Sequence, residues 1–156
     1  MKTRREFLML ACGAVASSAV QAQLTPNIVA LRKAALEGAV RKVTGGAQPR
    51  PGRVKLDLPP LIENGNSVPL TVTVESPMTA ADHVRAIHVF TEKNPQPNVI
   101  SAWLGPRAGR AVLTTRARIA DTGTVIAVAQ MSDGSFWSDR VEVVVTLSAC
   151  LEDGLI

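Results

Sequence analysis

Between residues 54 and 147 the chain alternates apolar and polar side chains with a period of two. In "VPLTVTVE", Leu70, Val72 and Val74 fall on one side and Thr71, Thr73 and Glu75 on the other. That is the period of a strand with one face in a core and the other in water. A helix would scatter the same apolar residues around its circumference, so the pattern excludes an all-α fold. "VKLDL" alternates in the same way, and the texture continues through "AIHVFT", "VISAWL", "AVLTTRARIA", "TVIAVAQM" and "VEVVVTL". Turn residues punctuate these runs at Asn64-Gly65-Asn66, Asn94-Pro95, Gly105-Pro106, Asp121-Thr122-Gly123 and Asp133-Gly134. About seven short strands joined by tight turns predict an all-β fold, an immunoglobulin-like antiparallel sandwich over residues 54–147. "VIAVAQM" is apolar on both faces and reads as a central strand. In "LTTRARI", Leu113, Thr115, Ala117 and Ile119 point one way, while Arg116 and Arg118 point to solvent or a partner.

Before the strands, residues 26–43 change period. Ile28, Leu31, Ala35, Leu36, Ala39 and Val43 form an apolar stripe at helical spacing, with Arg32, Lys33, Glu37 and Arg41 outside it. Pro26 suits a first helical turn, and Gly45-Gly46 stops the helix.

Residues 1–22 have the layout of a cleavable export signal: a basic start, an apolar middle and Val20-Gln21-Ala22 at the end. Arg4-Arg5 followed by Phe7-Leu8 fits the twin-arginine export pattern, which predicts a periplasmic product. The apolar middle is too short and too broken to span a membrane, which takes about 20 apolar residues. Cys12 also admits a lipoprotein reading, although Met9-Leu10-Ala11 is a poor lead-in to a lipidated cysteine. Removing the segment takes away Lys2, Arg4, Arg5 and Glu6, so the formal charge falls from +4 to +2. The absence of tyrosine and of a basic cluster interleaved with aromatics argues against a nucleic-acid surface.

Self-contained catalytic chemistry is not visible. His83 and His88 lie five apart, and no cysteine or histidine cluster completes a metal site. They read as loop or surface histidines. "LGPRAGRA" reads as a turn with solvated arginines, or as a small oxyanion cradle built from backbone N–H groups and guanidinium. There is no nucleophile-elbow serine, no paired carboxylates and no cofactor motif.

What remains is Cys150, the single cysteine beyond the signal, set after a strand-like run and near the end of the chain. Small Ser148 and Ala149 leave its sulfur open, and Leu151, Glu152 and Asp153 follow it. The two acids disfavour a thiolate, so the thiol is poorly placed to activate itself. It suits a thiol delivered into the active site of another protein, on an arm formed by residues 148–156. Extended at about 3.3 Å per residue, Ser148 to Cys150 reach about 10 Å from the last strand. An exported odd cysteine also admits a different role, pairing with a second copy through a disulfide in a non-catalytic interaction module.

In combination, the twin-arginine leader, "ENGNSVP", "SPMT", "IHVF", "EKNP", "LGPRAGRA", "MSDGSFW" and the near-terminal cysteine resemble the SoxY family of periplasmic thiosulfate oxidation. The resemblance implies an immunoglobulin-like sandwich that pairs with a second sandwich protein, SoxZ, as a heterodimer and carries sulfur intermediates covalently on Cys150. It implies no cofactor and no catalysis of its own. The partners it implies are a c-type cytochrome (SoxAX) that attaches thiosulfate, a hydrolase (SoxB) that releases sulfate, and a sulfane dehydrogenase (SoxCD). The family's familiar ending flanks the cysteine with glycines, whereas Ser148, Ala149, Leu151 and Glu152 stand here.

Overall fold

A computed structural model describes residues 16–148 of the chain. Two compact units divide it, Met1–Ala34 and Ala35–Ile156. Residues 1–15, with Arg4, Arg5 and Cys12, lie outside the described residues, as do Ala149, Cys150, Leu151, Glu152 and Asp153.

The helix, α1, spans Ala16–Thr44. Its start differs from the expected first turn at Pro26: ten residues precede the proline inside the helix, whose ladder lacks one N–H donor there. In the first unit Ile28, Val29 and Leu31 are exposed, so the predicted stripe is not buried there. In the second unit Leu36 is buried and packs with Ala39, Val40 and Val43 against Phe90, Val128 and Phe136. The stop is where the sequence places it. Gly45 and Gly46 have φ of 63° and 93°, and the Gly46 amide donates to the Arg41 carbonyl at 3.1 Å. Such a left-handed cap favours glycine.

Nine strands follow among the described residues: β1 Arg50–Pro51, β2 Val54–Asp57, β3 Leu61–Ile62, β4 Val68–Val74, β5 Val84–Thr91, β6 Asn98–Trp103, β7 Val112–Ala117, β8 Gly123–Met131 and β9 Phe136–Val145. They form two sheets, β1-β9-β8-β5-β6 with β3 also on β9, and β2-β4-β7. The sandwich is immunoglobulin-like, with antiparallel long strands. Between the sheets lie Leu56, Leu70, Val72, Val74, Ile87, Val89, Val125, Ala127, Ala129 and Val143, all buried. In β4 burial alternates along the strand as the sequence predicts, with Val68, Leu70, Val72 and Val74 inside. Strand β8 is central, between β5 and β9, and its inner and outer faces both carry buried residues. In β7, Ala117 and the following Ile119 are buried while Arg116 is exposed.

Two features were not legible in the alternation. Strand β5 is buried on both faces: Ile87 and Val89 face the core between the sheets, while Phe90 meets the packing of residues 36–43. Strands β1 and β3 have two residues each and pair parallel to opposite ends of β9, at Trp137–Ser138 and Val144–Val145. After β1 the chain crosses to the smaller sheet through Gly52 and Arg53, with φ of 103° and 54°, and both Arg50 and Arg53 lie over the Trp137 ring.

Candidate functional site

Strand β9 ends at Val145, and the backbone that continues toward Cys150 is held for two further residues. Its neighbour is the segment Pro60–Gly65, which contains β3. The amides of Val144 and Thr146 donate to the carbonyls of Pro60 and Ile62 at 2.8 and 2.9 Å, and that of Leu147 donates to Glu63 at 3.2 Å. In return the Gly65 amide donates to the Leu147 carbonyl at 3.0 Å. The Thr146 hydroxyl reaches the carbonyls of Ile62 and Glu63. From the opposite side, Thr122 Oγ1 accepts from the Val145 amide at 2.9 Å.

This clamp exists because the loop between β3 and β4 is itself fixed. The Asn64 side chain accepts from the Asn66 amide at 3.0 Å, closing the "ENGN" turn. The Gly65 carbonyl accepts from the Ile119 amide at 2.8 Å. Ile62 and Val145, register partners, are both buried and anchor the pair inward. Their neighbours Leu61 and Val144, also register partners, point the other way and are 58% and 52% exposed. Leu147 is 60% exposed. Ser148, the one proposed arm residue that is described, is exposed and outside any strand.

The two histidines fall in different places, and one expectation is corrected. His83 precedes β5, with Nδ1 3.1 Å from the Thr79 carbonyl. His88 is not a surface group: it is 6% exposed, with Nδ1 2.8 Å from Ser101 Oγ and its ring edge-on to Trp103. Burial lowers its pKa below the ordinary value. The alternation of "AIHVFT" conceals this, because it gives no sign that both faces of the strand are covered. The "LGPRAGRA" segment forms a short 3-10 turn at Pro106–Ala108, with Gly109 at φ 74° and Arg107 and Arg110 exposed. Among the described residues no group of three or more His, Cys, Asp or Glu side chains is placed to hold a metal ion.

A family model described as sulfur oxidation protein SoxY matches residues 40–150, so its last matched position is that of Cys150. The solved sulfur carrier protein SoxY from Chlorobium limicola f thiosulfatophilum is similar, at 28% identity and a TM-score of 0.60 over 74% of this chain and 99% of that one. Two superoxide reductases share the fold alone. That from Ignicoccus hospitalis is 19% identical, with a TM-score of 0.54 over 60% of this chain and 80% of that one. That from Nanoarchaeum equitans is 11% identical, with a TM-score of 0.51 over 62% and 100%. No curated protein matches the chain.

Proposed function

The chain belongs to the SoxY family of sulfur oxidation proteins, and from that premise we propose that it is a covalent carrier, holding sulfur intermediates on the thiol of Cys150 while partner enzymes act on them. The observation that carries this reading is the clamp at the end of β9. Backbone bonds hold the chain as far as Leu147, and the only cysteine beyond the export segment stands three residues further on.

Loading joins the outer sulfur of thiosulfate to Sγ of Cys150. The thiol gives up its proton to water, and two electrons pass to a c-type cytochrome. A hydrolase then adds water to the terminal sulfonate and breaks its bond to the inner sulfur. Sulfate and protons leave, and a persulfide stays on the protein. A sulfane dehydrogenase then oxidises that sulfur to a sulfonate with oxygen from water and passes the electrons to a cytochrome, and a second hydrolysis releases it as sulfate and restores the thiol. The carrier supplies no catalytic group in this scheme, and activation of the thiol falls to the enzyme.

The cycle is periplasmic, reached through the twin-arginine leader of residues 1–22. Residues 54–147 form the sandwich that pairs with a SoxZ-like subunit, and 148–156 form the arm. Folding with that subunit before export accounts for the choice of a route that carries folded cargo.

Intact mass spectrometry of the reduced protein, after incubation with thiosulfate and an oxidising periplasmic extract of the host, tests the reading. The carrier gains the mass of one thiosulfate, reversibly with reductant. A product consisting only of monomer and disulfide dimer would replace the carrier with a structural module.

A further inference from the structure

Exposed apolar side chains scattered singly over a surface require no explanation. Leu61 and Val144 are different, because they are direct register partners on neighbouring strands and their side chains adjoin. Leu147, three residues on, is the last residue the clamp holds and is exposed as well. The prolines at 59 and 60 stand immediately before Leu61, so the segment is poorly suited to receiving a further strand.

Chain geometry fixes what can sit over this patch. Cys150 stands three positions after Leu147, and three extended residues span at most about 10 Å. An enzyme whose reacting atoms meet the Cys150 sulfur must therefore bring its own surface over the residues around Leu147. Leu147 therefore lies inside the footprint of a protein that takes that thiol into its active site, and Leu61 and Val144 lie a few positions back along the same two paired segments.

We infer that Leu61, Val144 and Leu147 form an apolar collar on which the enzyme that loads Cys150 seats the rim of its active-site entrance, a rim that must itself be apolar. The inference rests on the carrier reading of Cys150. Burying the collar removes apolar surface from water only in the docked state, so the carrier gains affinity where the arm is inserted and loses it on withdrawal.

The test compares the wild type with Leu61→Ser/Val144→Ser in loading of Cys150 by thiosulfate and the host's oxidising periplasmic extract, followed by intact mass. Val112→Ser, which removes an exposed apolar residue from β7 in the other sheet, is the control. The double variant is expected to load about tenfold more slowly at limiting carrier concentration. Its Cys150 should react with a small neutral alkylating reagent at the wild-type rate, its melt should be unchanged, and Val112→Ser should load normally. Equal loading of double variant and wild type overturns the collar and leaves the carrier reading standing; no loading of the wild type overturns the carrier reading itself. A double variant that loads normally but loses self-association would assign the patch to a second copy of the chain instead, and a loss of loading equal in Val112→Ser would show a general effect of polarity.

Discussion

The Gly65 amide donates to the Leu147 carbonyl at 3.0 Å, and the Gly65 carbonyl accepts from Ile119 at 2.8 Å. One buried glycine thus ties the segment that follows β9 to the segment that follows β7. Because the clamp is made of backbone groups, it should appear in hydrogen exchange: the amides of Gly65, Val144, Thr146 and Leu147 are expected to exchange together and slowly. Exchange of the Leu147 amide as fast as that of a free peptide would mean that the arm begins earlier than Leu147.

Thr122 holds the other side of the clamp through the Val145 amide at 2.9 Å. Thr122→Val leaves that partly buried donor without its acceptor, which costs about 1–3 kcal/mol. Denaturant unfolding measures it, and the Val145 amide should lose protection in the same variant.

Ile87 is fully buried between the sheets. Ile87→Ala should destabilise the protein by about 2–5 kcal/mol through lost burial and the cavity left behind. Small-reagent alkylation of Cys150 should be unaffected under conditions where the variant remains folded. A faster alkylation there would mean that the thiol is covered by the core.

His88 supplies a pH dependence. Burial makes its charged form unfavourable in the folded state, so the folded protein binds this proton less readily than the unfolded chain. The stability is complete above the ordinary value of 6.5 and is lost as pH falls below it. Thermal melts from neutral pH down to about pH 5 should show a fall that is shallower in His88→Gln. An NMR titration should place the His88 midpoint below that of an exposed histidine.

Glu152→Gln with Asp153→Asn separates two roles for the acidic pair. If the carboxylates guide the arm onto a basic surface of the enzyme, enzymatic loading slows, more at low salt than at high, while alkylation by a neutral reagent barely changes. That is the expected outcome, because exposed charges perturb a nearby thiol only weakly once screened. Loading at the wild-type rate at every salt concentration would remove the guiding role.

The parts of this fold that were legible in the sequence are those in which one side chain pattern reports one environment. Val68 to Val74 alternate because one face meets the core, and Gly45-Gly46 end α1 because both adopt positive φ. Strand β5 was only half legible: His88 looks like an outward-facing polar residue until the covering of the outer face is known. Strands β1 and β3 were not legible, since two residues carry no period and adjacent prolines argue against a strand. Helix α1 began ten residues before Pro26 because the alanine- and glutamine-containing stretch ahead of the proline favours a helix in its own right. Of the candidate site, the cysteine stands out in the sequence by being alone, whereas the clamp at the end of β9 is made of main-chain groups and left only the "ENGN" turn as a trace.

The central claim is that Cys150 is the atom-bearing residue of a carrier and has no structural duty. Loading with thiosulfate and the host's oxidising extract, read by intact mass on wild type and Cys150→Ser beside denaturant melts of both, tests it most directly. The account predicts a thiosulfate adduct on the wild type, none on Cys150→Ser, and stabilities within about 0.5 kcal/mol of each other. An adduct that survives in Cys150→Ser, or a loss of more than about 2 kcal/mol on the substitution, would contradict it.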